Sequence, residues 1–302
     1  MLCSLKSLTG RVAPVYPNFN LYRHGGCKIW LGSAYAAPEF IAFLKNPDAF
    51  FESPRCQIIK DQRKIKIARV VVGVRNEKHA IYVKRYNSFM LRHRVGSIFT
   101  ASGGVKSLSG ATILCRNGIA TANPIAAVEE RVNGTVRRSF YLSEEIPGGV
   151  TVDAYWLNVL KTLRHRDGFR RRRVFLHTLG ELFRTLHSRG IYHNDLKDAN
   201  ILAVPAGDSD QLTFYLLDLE GVRQYSSLSE NRRSKNLVQL NRTLGRHLDA
   251  PQKLALLRAY LGEGYSDRQV RRGLITKVLE ESHRVNAMKA SQRGRSTRVS
   301  PN

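Results

Sequence analysis

The sequence predicts an α+β protein of two lobes, the first rich in strands and the second helical. Three observations carry this reading. Residues 56 to 86 run in β-branched stretches bounded by turn residues, apolar residues recur at helical spacing between Phe169 and Gly190, and further helical periods follow residue 235.

Residues 1–54 read as an N-terminal extension with Pro14, Pro17, Pro38, Pro47 and Pro54 as breakers, and Pro38 suits the first position of a short helix, PEFIAFLKN. A small β-rich lobe is expected over 55–146. It opens with CQIIKD, IKIARVVVGV and AIYVKRY, a three-stranded antiparallel meander with the turn RNEKH between the last two strands. A helix is expected near VKSLSGATILCR, followed by PIAAVEER and TVRRSFYLSEEI joined at Asn133-Gly134, a dipeptide suited to a tight hairpin.

A large helical lobe is expected over 147–285. In its long helix Phe175, Leu179, Leu182, Phe183 and Leu186 form one apolar face, and Gly190 follows as the C-terminal cap. NLVQLNRTLG, APQKLALLRAYLG and SDRQVRRGLITKVLEESHRV predict more helices, the last opened by Ser266 as N-cap. Residues 286–302 are basic and aperiodic, so a disordered tail is expected.

An apolar fraction of 42% over 302 residues excludes a fully disordered or collagenous chain. The unusual quantity is charge. Lys and Arg number 49 against 24 Asp and Glu, a net +25 that favours polyanionic partners. Cys3, Cys27, Cys56 and Cys115 lack metal-ligand or disulfide spacing, which fits a reduced, cytoplasmic compartment. The N-terminus lacks a secretory apolar stretch, and no run reaches the ~18 apolar residues of a membrane span, so any membrane contact is expected to be peripheral.

The most informative string follows the long helix: IYHNDLKDANIL, then the apolar strand of FYLLDLEGV, which delivers Asp218. Phosphoryl transfer from ATP needs a carboxylate on the acceptor hydroxyl, a cation near the moving phosphoryl and oxygen ligands for Mg2+. Asp195, Lys197 and the pair Asn200 and Asp218 supply these in order, with the spacing of a protein-kinase catalytic loop. The fold class expected is therefore protein-kinase-like. The bland alternative is a loop in which Asp and Asn cap turns.

Lys84, on the third strand of the meander, is placed to hold the α- and β-phosphates, and the segment Glu144, Glu145, Ile146 is placed to contact adenine. Several features depart from that pattern. No acidic residue lies between Lys84 and Glu129, so the helix glutamate that usually pairs with the lysine is missing; Glu129, Glu130 or Asp218 are the candidate substitutes. The phosphate-covering turn KDQRK has no glycine, leaving Lys60, Arg63 or Lys64 to supply charge. Asn194 stands where an arginine would receive a regulatory phosphate, and Asp218-Leu219-Glu220 replaces Asp-Phe-Gly. Little chain separates Asp218 from the next apolar helix, so a non-polypeptide acceptor is expected.

With these residues in place, IYVKRYN, GIATANPIAAVEER, YHNDLKDANIL, LLDLEGVR and above all KNLVQLNRTLG with LLRAYL resemble the bacterial lipopolysaccharide kinases of the Kdo/WaaP family. The resemblance implies ATP-dependent phosphorylation of a Kdo or heptose hydroxyl of the lipopolysaccharide inner core, on the cytoplasmic face of the inner membrane. By position it implies Asp195 as base, Lys84 as the ATP lysine, and Asn200 with Asp218 as magnesium ligands. The arginines at 170–173, the group Arg223, Arg232, Arg233 and Lys235, and the tail cations Arg284, Lys289, Arg293, Arg295 and Arg298 then suit a phosphorylated, acidic acceptor and an anionic membrane; each cluster can equally be a solvated face. A protein or small-molecule kinase and a pseudokinase scaffold are the alternatives. Nucleic acid is not the expected partner, because no helix-turn-helix, zinc or RNP-like signature accompanies the charge.

Overall fold

The computed structural model describes residues 18–87, 101–206 and 211–297, with side chains as far as Ser291. The chain divides into two compact units. One joins the residues up to Arg116 with Thr121–Ile146, the other Asn117–Ala120 with everything from Pro147 onward.

The first unit is a seven-stranded antiparallel sheet in the order β1-β2-β6-β7-β5-β4-β3. Its strands are β1 (Phe19–His24), β2 (Cys27–Gly32), β3 (Cys56–Asp61), β4 (Ile65–Val74), β5 (Glu77–Asn87), β6 (Pro124–Val132) and β7 (Thr135–Glu144). The expected meander is β3 to β5. Its second turn has φ of 51° at Arg75 and 67° at Asn76, and Asn133-Gly134 has 49° and 76°, the left-handed pairs that match the twist of a two-residue hairpin.

Register sorts the sheet's side chains onto two faces. Ala68, Val83, Leu142, Ala126 and Leu31 form one row across five strands. With their neighbours on that face they pack against Phe40 and Leu44 of α1 (Pro38–Lys45) and against Phe50, all fully buried. The row Ile67, Lys84, Tyr141, Ala127 and Trp30 points the other way. That face receives α2 (Gly103–Arg116), where Ser107 Oγ meets Tyr86 Oη at 2.7 Å and a Cβ on Gly104 would lie 2.3 Å from the Phe140 carbonyl oxygen.

Residues 19–51 are thus no appendage, which corrects the expected extension. Strands β1 and β2 pair onto β6, which would otherwise be an open edge, and α1 covers apolar residues that would otherwise face water.

In the second unit, a short turn of helix α3 (Val152–Tyr155) and the long α4 (His165–Ser188) lead through Gly190, at φ 70°, into β9 (Ile191–His193). A Cβ on Gly190 would sit 2.1 Å from the Tyr225 carbonyl oxygen, so the cap position also requires close backbone approach. Strand β9 pairs with β12 (Val222–Gln224); β10 (Ile201–Pro205) pairs with β11 (Leu212–Leu216) and β8 (Val150–Thr151). Three helices follow: α5 (Glu230–Arg242), α6 (Ala250–Leu261) and α7 (Arg268–Thr297).

Three expectations are corrected here. Helix α5 begins before residue 235, through a polar first turn without apolar period. The cap of α7 is Asp267, whose carboxylate accepts from the amides of Gln269 and Val270 at 2.8 and 3.2 Å, while the Ser266 hydroxyl turns back to Glu263 O. Residues 286–297, expected to be disordered, continue α7. Ala, Met, Lys, Gln and Arg there favour helix intrinsically, and a helix polar on most sides carries no periodic signal. Arg298 lies outside the described residues. No helix among the described residues is long and apolar enough to cross a membrane.

Candidate active site

The loop between β9 and β10 turns on a buried histidine. The Nδ1 of His193 accepts the Asp195 amide at 3.2 Å, so its proton resides on Nε2, which donates to Leu217 O at 2.9 Å. Burial pushes its pKa down, in keeping with a neutral ring that only orients the loop.

Asp195 is half exposed. Its Oδ2 accepts from Lys197 Nζ at 2.6 Å and from Asn200 Nδ2 at 3.0 Å, and Asn200 Nδ2 also meets the Asp195 carbonyl at 2.7 Å. Spending one carboxylate oxygen this way leaves Oδ1 for an acceptor, and spending the Asn200 amide hydrogens leaves its Oδ1 as a hard ligand. Asp218 follows β11 at φ 56°, φ space that a non-glycine residue enters rarely. It adjoins Asn200 through the bond from Leu217 N to Asn200 O, 2.9 Å. Sequence-predicted Asp195, Lys197, Asn200 and Asp218 are therefore gathered on one loop and one strand end, and Asn200 and Asp218 carry the hard oxygens that a magnesium ion would take.

A Cβ on Gly221 would lie 2.5 Å from the Asn194 Cβ, so the glycine one place late in Asp-Leu-Glu-Gly permits this turn to pack on the loop that carries Asp195. Asp198, beside them, is buried; its Oδ1 accepts the Ala199 amide, its Oδ2 finds no hydrogen-bond partner among the described residues, and burial raises its pKa.

In the first unit Lys84 stands in register between Ile67 and Tyr141, its Nζ 4.9 Å from the Tyr86 ring centroid. The Tyr141 hydroxyl beside it is buried with no hydrogen-bond partner among the described residues. Glu129 and Glu130 lie on β6, beyond β7 from this lysine, and each is taken by an arginine: Arg131 Nη2 at 2.7 Å and Arg138 Nε at 2.6 Å. Both are thereby removed as replacements for the helix glutamate, and α2 carries no acid.

Glu144 is also committed, accepting from Tyr35 Oη at 2.6 Å and Asn123 Nδ2 at 2.8 Å, while Glu145 forms a two-point bond with Arg69 at 2.7 and 2.8 Å. The Glu144 and Glu145 amides bond Asn123 O and Ala80 O, so among the described residues the Ile146 amide is the one in this segment outside the backbone pairing. The glycine-free turn is a closed hairpin, Gln62 and Ile65 exchanging both bonds, tied by Asn87 to Arg63 O and Lys64 O.

Comparison with known proteins now decides the family. Residues 57–260 match the Lipopolysaccharide kinase (Kdo/WaaP) family. The chain belongs to this family. A solved structure described as WaaP in complex with acyl carrier protein is similar in fold, with a TM-score of 0.59 at 16% identity, over 82% of this chain and 97% of that one. No curated protein matches the chain.

Members of the Kdo/WaaP family are kinases, phosphotransferases that act on sugar hydroxyls of lipopolysaccharide, and the protein-kinase-like fold accords with this. The run Asn236-Leu-Val-Gln-Leu-Asn-Arg242 has a local explanation that the sequence withheld. Asn236 and Gln239 turn toward the catalytic loop, Asn241 Nδ2 donates to Ser282 Oγ at 3.0 Å and Arg242 Nε to Asn286 Oδ1 at 2.8 Å, tying α5 to α7. Asn236 and Gln239, three apart and so on one side of α5 among the buried Leu237, Val238 and Leu240, were the available signal.

Proposed function

We propose that this kinase transfers the γ-phosphoryl group of ATP, with Mg2+, to a Kdo or heptose hydroxyl of the lipopolysaccharide inner core. The observation that carries the reading is the Asp195 carboxylate, held through Oδ2 by Lys197 and Asn200 with Oδ1 left to accept a proton. MgATP, when bound, supplies the phosphoryl group and the metal that neutralises its charge. Asp195 orients the sugar hydroxyl and takes its proton as the oxygen attacks; Lys197 steadies that carboxylate and brings positive charge to the reacting side. Asn200 and Asp218 offer oxygens to magnesium, Lys84 its ammonium to the α- and β-phosphates, and the Ile146 amide a donor to adenine.

The +25 charge suits an acceptor bearing phosphates and acidic sugars, and peripheral contact with the anionic cytoplasmic face of the inner membrane. Not all the arginines are available for that. Arg172 bonds Leu160 O and Leu163 O, Arg223 bonds Glu220 O, Arg232 lies over the Tyr225 ring and Arg233 bonds Leu228 O.

A radiolabelled-ATP assay offering Kdo-lipid A, core oligosaccharide and a generic basic protein side by side tests the reading. Label is expected in the lipopolysaccharide-derived acceptors. Label in the protein alone, or in none of them, would overturn it.

A further inference from the structure

We propose that Gln239, aimed by Asn236, is a positioning residue that sets the backbone of Asp195 and so the direction of its carboxylate; this rests on Asp195 being the base. Gln239 Nε2 donates to Asn194 O at 2.7 Å and its Oε1 accepts from Leu196 N at 2.9 Å. The carbonyl before Asp195 and the amide after it are thus gripped by one side-chain amide. That is the pairing a neighbouring strand would offer, supplied instead from α5.

The grip has a single sense, and a buried chain of bonds enforces it. Asn236 Nδ2 donates to His193 O at 2.6 Å and to Gln239 Oε1 at 3.2 Å, which uses both its hydrogens and makes its Oδ1 an acceptor. His187 Nε2, at 3.3 Å from that oxygen, must therefore carry the proton. Its Nδ1 is then bare and accepts from the Tyr260 hydroxyl at 2.9 Å. The His187 pKa is pushed down to about 4 by burial, consistent with the neutral ring this requires.

Rotating the Gln239 amide by half a turn would set its NH2 against the Leu196 amide and the Asn236 NH2, and its oxygen against the Asn194 carbonyl. Each alternative is repulsive, so the orientation is fixed by what lies behind it. Thr243, one turn on, adds a further anchor: its hydroxyl accepts the Asp198 amide at 3.4 Å and donates to Gln239 O at 2.9 Å. Helix α5 and its C-cap Thr243 therefore hold residues 193, 194, 196 and 198, on either side of the proposed base.

The test uses the full chain with MgATP and Kdo-lipid A, comparing wild type, Gln239→Leu and Gln239→Glu. Leucine removes both bonds; glutamate keeps the acceptor for Leu196 and loses the donor to Asn194. A small misplacement of a catalytic group costs up to about 10²-fold, so Gln239→Leu should lower kcat by ~10–100-fold with KM for ATP nearly unchanged, and Gln239→Glu should fall between it and wild type. Amide hydrogen exchange over residues 193–200 should speed up in the same order.

A folded Gln239→Leu enzyme with wild-type kcat, or a loss confined to KM for ATP, would overturn the proposal. If leucine prevents folding, the glutamate variant decides by the same two measurements. If wild type transfers nothing to Kdo-lipid A, the proposed acceptor reading fails, and exchange still judges the grip: rates identical in all three proteins would refute it.

Discussion

The sheet of the first unit and the candidate catalytic loop of the second, residues 193–200, are both held in register across several strands or turns, but by opposite means. In the sheet, the row from Ala68 to Leu31 is pinned between strands and closed by Phe40, Leu44 and Phe50, none of which has a polar atom to satisfy. In the loop, the backbone of residues 193–198 is fixed by Asn236, Gln239 and Thr243 through directional bonds at 2.6 to 3.4 Å. Apolar packing tolerates small shifts and is indifferent to charge, whereas a bonded network has one correct orientation and responds to protonation. A scaffold suits the first kind of support, and the proposed base, which must point within a narrow cone, suits the second.

The largest effect that separates the two is expected at the loop itself. Asp195→Ala should cut turnover by ~10²–10⁴-fold while thermal stability and nucleotide binding stay close to wild type, because in the proposed mechanism the carboxylate acts on the acceptor hydroxyl. Steady-state transfer to Kdo-lipid A with a parallel melting curve measures both. Wild-type turnover in this variant would remove Asp195 from the mechanism.

Phe40→Ala should do the reverse. A buried phenylalanine cut to alanine costs ~3–5 kcal/mol, and Phe40 packs on the face of the sheet opposite Lys84. Denaturant melts should show that loss, by the same amount at pH 7 and pH 4.5, with kcat per folded molecule preserved. A stable Phe40→Ala variant would mean that residues 19–51 are not part of the core.

What the sequence discloses follows the same division. The β3–β5 meander, the Asn133-Gly134 turn and the long helix are legible because apolar period and left-handed turn residues repeat a local rule. The Asp195 to Asn200 spacing is legible because the chemistry lies within six consecutive positions. Strands β1 and β2 escape notice: β1 exposes most of its residues, and the hairpin sign at Gly25-Gly26 sits among prolines that argue for irregular chain. The arginine partners of Glu129 and Glu130, and the role of Gln239, depend on which residues the fold brings together across 2 to 45 positions. No periodicity encodes that.

The smallest predicted effect sharpens the comparison through pH. His187 titrates near 6.5 when unfolded and is pushed down to about 4 by burial in the folded chain. The unfolded state thus binds a proton more readily, so the stability tied to the neutral ring is complete above pH 6.5 and drains away as pH falls toward 4. With each pKa unit equivalent to about 1.4 kcal/mol, the full difference is on the order of 3–4 kcal/mol, most of which should be gone by pH 4.5. His193, also buried with a lowered pKa, adds its own acid sensitivity, so wild type is not expected to be flat once His187 is replaced. Gln at position 187 can still donate to Asn236 and cannot gain a proton. His187→Gln should therefore be less stable than wild type at pH 7.5, where the packed imidazole is missing, and should lose less stability between pH 7 and 4.5. Phe40→Ala, lying in the apolar unit, should run parallel to wild type over the same range. Parallel curves for His187→Gln and wild type would show that the ring does not carry the acid sensitivity, and that the support behind the catalytic loop behaves like the sheet after all.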